Sequence, residues 1–258
     1  MLSIRSFIIL IIFSLNLSLL IAGELNFGVG YVGIDTYHYR GSDQTKRFDL
    51  YVPYLHYRSE NIEANNAVIN GYFINSRFFS LTMSMGANPN VESEENDARV
   101  DMPELNYNFG IGPMAIIHLI KSESIHLQIE SNIRREFETD FSLTRGIGYT
   151  SNSYLSLRLF GESSEMDLTW GKSYANKSFH QYYYDVDDEY ATNERPAYEA
   201  EGGYSGEIFI FSFKFRLGPL LVFPFYRADY LANVAFEDSP LFKQRHYQFY
   251  GVGLFYIF

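Results

Sequence analysis

The chain has 258 residues, with 22 Tyr, 23 Phe, 19 Gly and no Cys, and its formal net charge is −11 at pH 7. The negative charge argues against nucleic-acid binding, and the lack of Cys excludes a disulfide framework, a thiol nucleophile and a thiolate metal site. Apolar residues make up 47% of the chain, which argues against a bundle of membrane helices and suits a barrel whose strands show lipid at every second residue.

Residues 1–22 form a separate segment. Arg5 gives it a positive start, residues 7–21 are apolar apart from three polar positions, and Ala22 is a small residue suited to cleavage. This pattern is typical of a secretory signal peptide, and the apolar stretch is short of the roughly 20 residues that a membrane helix needs. We predict cleavage after Ala22, which removes one cation, changes the net charge from −11 to −12 and leaves residues 23–258 as a single domain.

Apolar residues at every second position predict strands from residue 24 onward. The first covers residues 24–39 and ends in a turn at Gly41, Ser42 and Asp43, which are turn-forming residue types. Residues 47–58 and 62–74 follow, and Pro53 inside the first of these requires a bulge or a weakly paired position.

Residues 79–85 show the clearest alternation of the chain. Phe79, Leu81 and Met83 alternate with Ser and Thr, which predicts an apolar outer face and a polar inner face. Residues 88–102 are polar and acidic and are interpreted as an exposed loop. A metal site in this acidic run is the less favoured alternative, because such runs are usually solvated.

Six further strands follow, and the one at residues 125–134 has a polar second face, which belongs to a wet lumen or to open solvent. The predicted ranges are residues 105–111, 114–120, 125–134, 144–149, 155–160 and 166–170. Residues 174–196 are then interpreted as a long acidic loop, and no helical period of useful length is found in residues 23–258. Asp185, Asp187 and Glu189 have the spacing that opens a calcium loop, but Tyr190 stands where an EF-hand needs Gly. A loose divalent-ion site is the remaining alternative there.

The last strands are predicted at residues 197–206, 208–217, 220–232 and 246–258. The final strand carries no charge after His246, and its Gly253, Tyr256 and Phe258 resemble the assembly signal of bacterial outer-membrane barrels. A terminal core strand of a soluble sandwich is the alternative. About twelve strands of membrane-crossing length predict a single antiparallel transmembrane β-barrel, closed by the C-terminal strand so that no sheet edge faces lipid.

The sequence offers little for catalysis. The six histidines are scattered, at His38, His56, His118, His126, His180 and His246. Metalloprotease, nucleophile-elbow and P-loop patterns are not found, so we expect no enzyme, no cofactor and no metal. Inward-facing Arg134, Arg158 and Arg216 would either attract anions or form internal salt bridges with Glu130 and Asp167, and salt bridges are favoured.

Several longer segments stand out along the chain. They read YVGIDTYHYRGSDQ, YNFGIGPMAIIHL, RPAYEAEGGYSG and FYRADYLANVAFEDSPLFKQ, followed by the closing GVGLFYIF. In their order and spacing these segments resemble the MipA/OmpV family of outer-membrane proteins. The residues taken as the family-like signature are Tyr37, Gly41, Ser42, Asp43, Gly112, Pro113, Pro196, Tyr198, Gly202, Asp238 and Ser239.

The resemblance implies a barrel in the outer membrane of a Gram-negative bacterium, in contact with outer-membrane lipid. It also implies a scaffold or binding protein that associates with a lytic transglycosylase and a penicillin-binding protein in peptidoglycan synthesis. The alternatives are a passive pore for small solutes and a surface adhesin or antigen. Short turns are expected to face the periplasm, and the long acidic loops the exterior.

Overall fold

The computed structural model describes residues 23–59, 62–65 and 69–258, with the side chains of residues 25–56 and 72–258. The predicted signal peptide and part of the predicted strand at 62–74 lie outside these residues. The strands are β1 (Gly23–Tyr37), β2 (Thr45–Ser59), β3 (Ile62–Asn65), β4 (Ile69–Gly71), β5 (Ile74–Asn75), β6 (Phe79–Asn88), β7 (Tyr107–Lys121), β8 (Ile125–Thr139), β9 (Thr144–Phe160), β10 (Ser164–Ala175), β11 (Gly203–Leu217), β12 (Leu220–Tyr230) and β13 (His246–Ile257). Of the described helices, none is long and apolar enough to cross a membrane.

All strands belong to one antiparallel sheet, in the order β4-β3-β2-β1-β13-β12-β11-β10-β9-β8-β7-β6-β5. The C-terminal strand β13 pairs with both β12 and β1, so the first and last long strands are joined. The order ends on β4 and β5, which only Tyr72 and Phe73 separate in the chain, and β4 lies close to β6. Over the described residues the sheet forms a barrel wall, but its hydrogen-bonded ladder is open between β4 and β5, so the predicted full closure of the barrel is not observed.

The strand number agrees with the prediction when β4 and β5 are counted as one interrupted strand. Three pairs of predicted strands are each one strand in the structure: β7 runs through Gly112 and Pro113, β9 joins residues 144–149 to 155–160, and β11 joins residues 203–206 to 208–217. The polar stretch inside β9 hid its continuity, but Asn152 Nδ2 donates to Asn132 Oδ1 at 3.1 Å across the ladder. Residues 197–202 were predicted as strand, which is wrong, since β11 begins at Gly203.

Alternation along the strands separates an inner from an outer face. In β6 the side chains of Ser80, Thr82 and Ser84 are buried, whereas Phe79 and Met85 are exposed. The predicted polar-in, apolar-out pattern is confirmed. Exposed apolar side chains recur on β1, β7, β8, β9 and β13, which gives the barrel an outer surface suited to lipid.

The two ends of the barrel differ. At the short-turn end, β7 and β8, β9 and β10, and β11 and β12 are joined by two or three residues each. At the long-loop end, residues 38–44, 89–106, 176–202 and 231–245 connect the strands. These four loops carry most of the buried apolar side chains among the described residues.

The pairing of β1 with β13 leaves no room for a side chain at Gly28. A Cβ there would lie 2.0 Å from the backbone O of Tyr256, and a backbone atom cannot move without breaking the ladder. We expect Gly28→Ala to weaken the pairing of β1 with β13 and so to lower the stability of the barrel. In a heat-modifiable gel shift, the folded band should convert to the unfolded band at a lower midpoint temperature. Gly33→Ala is the control in the same strand, because its nearest neighbour is the mobile Tyr31 hydroxyl at 2.8 Å. Equal midpoints for the two variants would contradict the role of this contact.

Candidate functional site

The four long loops fold into a single body over one end of the barrel, here called the cap (residues 38–44, 89–106, 176–202 and 231–245). They share one apolar core with the inner face of β13. Its buried members are Tyr39, Val91, Leu105, Tyr184, Ala200, Leu231, Val234, Phe236 and Tyr247. Burial of this apolar surface holds loops together that lie far apart in the sequence.

Phe236 lies at the centre of the cap core, with 1% of its surface exposed. Its ring stacks on Tyr184, with centroids 3.8 Å apart and planes 5° from parallel. The His180 ring meets it edge-on at 4.9 Å. Such aromatic contacts add stability beyond the area buried, so Phe236 contributes strongly to the packing of the cap.

A short helix positions two of these rings. The helix α1 (Lys177–Tyr184) begins after Asn176, whose side chain accepts a hydrogen bond from Phe179 N, as an N-cap residue does. His180 and Tyr184 are four residues apart, so both face the core. The prediction of a loop throughout residues 174–196 is therefore wrong, and the reason is that two helical turns are too short to show a period.

His180 is fixed by hydrogen bonds through both ring nitrogens. Nδ1 lies 2.6 Å from the Glu201 carbonyl and Nε2 lies 2.8 Å from the Ser205 hydroxyl. Because a carbonyl can only accept, Nδ1 carries the hydrogen and Nε2 accepts from Ser205. Burial lowers the pKa of His180, so the neutral imidazole is the form that fits the closed cap.

Residues 88–102, predicted to be an exposed loop, are only partly so. The acidic side chains face solvent, but Val91, Ser93 and Arg99 are buried. The Arg99 guanidinium donates to the Tyr183 and Pro103 carbonyls at 3.0 and 2.9 Å, which ties this loop to α1. Among the described residues, no group of three or more His, Asp or Glu side chains could hold a metal ion.

Below the cap, the lumen has a polar side and an aromatic side. Hydrogen-bonded Asn132, Glu136 and Asn152 line the wall formed by β8 and β9. On β12 and β13, Phe225 and Phe249 share the inner face with Arg227 and Tyr247, and their ring centroids lie 5.5 Å apart. The space inside the barrel is thus amphipathic.

An ion network joins the cap to the barrel wall. The side chain of Asp229 is fully buried and accepts from Arg40 Nε at 2.7 Å. Arg227 makes two further bonds to the same carboxylate, each 2.7 Å long. Arg40 belongs to the first cap loop, whereas Arg227 and Asp229 belong to β12. Breaking the ion pairs of a buried carboxylate costs much free energy. This network therefore fixes the position of the cap relative to the barrel wall.

A second network lies nearer the short-turn end. Arg158 contacts Asp167 at 2.9 Å and Glu165 at 3.4 Å, and Lys214 contacts Glu165 at 3.3 Å. The predicted salt bridge between Arg158 and Asp167 is confirmed. The structure differs from two other predictions for the lumen, which concern Glu130 and Arg216.

Glu130 accepts from Gln128 at 2.6 Å, and among the described residues it forms no ion pair with an arginine. The lumenal placement of Arg216 is wrong, because it is exposed at the short-turn end, where Nε donates to the Gly218 carbonyl. Arg216 is the penultimate residue of β11, so it lies beyond the lumen.

Five residues of the family-like signature come together in the cap. Ser239 Oγ donates to the Tyr184 carbonyl at 2.7 Å, and Asn96 Nδ2 donates to Ser42 Oγ at 3.1 Å. Gly41 has φ 94°, which favours glycine. A Cβ on Gly202 would meet Lys177 N at 2.6 Å, and Tyr198 forms a bridge with Val186. Signature residues as far apart in the sequence as positions 41 and 239 thus lie together in the cap.

The other signature residues lie elsewhere. Tyr37 packs against the cap core from the end of β1, while Asp43, Pro196 and Asp238 are exposed on the cap surface. Gly112 and Pro113 lie inside β7. Gly253, Tyr256 and Phe258 lie at the end of the chain, where the last two rings meet edge-on at 5.8 Å.

Sequence reasoning missed Phe236, His180 and the Arg227–Asp229 pair. Only the pair left a signal: two charges two positions apart on one face of an otherwise apolar strand.

Comparison with known proteins gives a family and a set of similar folds. The model of the family described as MltA-interacting protein MipA matches residues 28–258. A search of the curated proteins found no match.

Among solved structures, the chain is similar to an outer membrane channel, COG4313, from Pseudomonas putida F1, with 10% identity, a TM-score of 0.43, and 91% of this chain and 95% of that chain covered. It is also similar to the NanC porin, with 7% identity, a TM-score of 0.38, and 91% and 98% covered. A third similar structure is the CymD monoaromatic hydrocarbon channel, with 10% identity, a TM-score of 0.38, and 90% and 87% covered.

Phe236→Ala is expected to loosen the cap by about 3–5 kcal/mol, the usual cost of removing a buried Phe ring. The amides of α1 should then exchange with deuterated water faster, while those of the barrel strands stay protected. Phe141→Ala is the matched control, since that ring is 82% exposed at a hairpin tip. Unchanged exchange in Phe236→Ala would contradict a single cooperative cap.

Acidification is expected to destabilise the cap. The pKa of His180 is lowered by burial from its ordinary value of 6.5, so the closed cap binds fewer protons than the opened one. Its stability is fully present above pH 6.5 and falls as the pH drops below that value. Exchange of the α1 amides should therefore accelerate between pH 7.5 and 5.5, after correction for intrinsic exchange.

His180→Gln should reduce this pH dependence, and the remainder belongs to His38, whose pKa is also lowered by burial. His246→Gln, at an exposed position, should leave the pH dependence as it is. A profile unaffected by His180→Gln would show that another group controls the cap.

Proposed function

The chain belongs to the MipA family and is an outer-membrane β-barrel protein, and from that premise we propose that it acts as a binding protein and scaffold in peptidoglycan synthesis. The observation that carries this proposal is the cap. Its core residues Leu231 and Phe236 are 0% and 1% exposed, so one end of the barrel is covered by packed side chains. A passive pore needs a continuous water path, which a packed core does not offer. The role is binding rather than catalysis.

The partner we propose is a lytic transglycosylase, joined by a penicillin-binding protein. The family description names interaction with MltA, which is a lytic transglycosylase. Such enzymes act on murein, so the docking surface must face the periplasm, and in outer-membrane barrels this is the side of the short turns.

The short-turn end carries charges suited to a transient partner. Arg77, Lys121, Glu123, Glu162 and Arg216 are all exposed there. Rim charges of both signs steer encounter and set specificity more than they set affinity. The surface is small, so we place the contact on the turns that carry Lys121 and Arg216 and not in the lumen.

A surface adhesin or antigen is the second candidate. It is favoured by the outer side of the cap, where Asp187, Asp188, Glu189 and Glu194 are exposed. In the expected orientation this acidic surface faces the exterior, and it would bind a partner that carries positive charge.

The test is a crosslinked pull-down from intact envelopes, with bound proteins identified by mass spectrometry. We expect a lytic transglycosylase or a penicillin-binding protein to be enriched over an unrelated barrel. Lys121→Glu combined with Arg216→Glu should remove most of that enrichment, because it reverses two of the three exposed cations named at the short-turn end. Glu189→Lys on the cap is the matched control and should leave the enrichment unchanged.

Each other result would overturn part of the proposal. If no murein enzyme is enriched with the wild-type protein, the scaffold role is wrong. If the rim variant retains full enrichment, the short-turn end is not the docking surface. If only Glu189→Lys loses the murein enzymes, the cap and not the short-turn end is the docking surface.

A further inference from the structure

A cavity of about 130 Å³ lies in the lumen directly below the cap, well above the roughly 10–15 Å³ that one water molecule needs. Three arginines line it, Arg40, Arg134 and Arg227, together with Glu136 and Tyr154. We propose that this cavity is a binding site for a small oxyanion, a phosphate or a carboxylate. The site is independent of the scaffold role.

The charges around the cavity do not balance. Arg40 and Arg227 share the single carboxylate of Asp229 at 2.7 Å, and Arg134 lies 3.9 Å from Glu136. Three cations face two carboxylates, which leaves one positive charge. A buried charge without a partner is unfavourable, so the cavity is suited to an anion.

Arg134 is the group with donors to spare. One of its terminal nitrogens donates to the Met85 carbonyl at 3.1 Å, but its Nε is buried without a hydrogen-bond partner. The nearby Glu136 carboxylate already accepts from the Thr150 hydroxyl at 2.6 Å. A bound oxyanion would supply the acceptor that this guanidinium lacks.

Gly86, which lies against Arg134, leaves room for the guanidinium at the cavity. A Cβ on Gly86 would lie 2.3 Å from Arg134 Nη1, so only glycine leaves the guanidinium its present place. A planar guanidinium matches the oxygen spacing of a carboxylate or a phosphate. Neutral donors from Asn152 and Ser173 line the same cavity, and they would complete the shell of an anion.

The anion would enter from the short-turn end. The cap core covers the opposite end, whereas the side chains of Arg158 and Lys214, lower in the lumen, are 35% and 40% exposed. Water therefore reaches the lower lumen. These two cations are also on the route by which an anion would approach.

Binding can be measured by isothermal titration of the folded full chain in detergent micelles, with inorganic phosphate and with acetate in separate runs. We expect saturable binding of at least one of the two ions. Arg134→Gln should weaken it about tenfold, the usual effect of losing one charge-assisted hydrogen bond. Arg145→Gln is the matched control, because that arginine is 69% exposed at the hairpin between β8 and β9, and it should bind as the wild type does.

Each result of the titrations either supports the anion site or overturns it. Binding of acetate alone identifies a carboxylate solute, and binding of phosphate alone identifies phosphate. No saturable binding of either ion, or equal affinity in the wild type and Arg134→Gln, would overturn the site. A heat-modifiable gel shift checks that each variant is folded. If Arg134→Gln does not fold, Arg134→Lys and Tyr154→Phe take its place, and unchanged affinity in both would equally overturn the site.

Discussion

A strand in lipid must find all of its backbone hydrogen bonds in neighbouring strands, because the hydrocarbon offers none. In this chain the pairing of β13 with β1 meets that demand where the sheet would otherwise end. Val32 lies opposite Gly253 and Ile34 opposite Gly251 along this pair, and the small residues of β13 let the two strands approach. This pairing joins β1–β4 to the rest of the wall, although the ladder stays open between β4 and β5.

The barrel wall surrounds an interior that side chains must fill or loops must cover. Two ion networks, centred on Asp229 and on Asp167, occupy it at different heights, and aromatic rings of β12 and β13 fill one side. The cap covers the long-loop end with a core of buried apolar side chains. Arg40 connects the two parts, because it starts in a cap loop and bonds to a carboxylate of the wall. The molecule is therefore built to hold its cap in place, which suits a binding protein better than a passage for solutes.

The sequence predicted the wall well and the cap poorly, for a physical reason. Alternation at Phe79, Ser80 and Leu81 is local, so the face of each residue can be assigned from its neighbours. The cap depends on contacts such as the bond from Tyr39 Oη to the Leu241 carbonyl, across 202 positions of the chain, and no local pattern announces them. The buried Arg99 and Ser93 lie among exposed acids, so residues 88–102 read as a solvated loop. The networks of the lumen fall between these cases: the pairing of Arg158 with Asp167 was predicted because both side chains face inward, whereas the role of Asp229 depends on Arg40, which lies far away in the sequence.

The central claim is that the cap closes the barrel, and single-channel recording in planar bilayers tests it most directly. The wild-type protein, inserted in folded form, should show no steady conductance. A variant in which residues 178–200 are replaced by a short Gly-Ser linker, which removes most of α1 and part of the cap core, should conduct. Steady conductance through the wild-type barrel would contradict the account and restore the passive pore as its function.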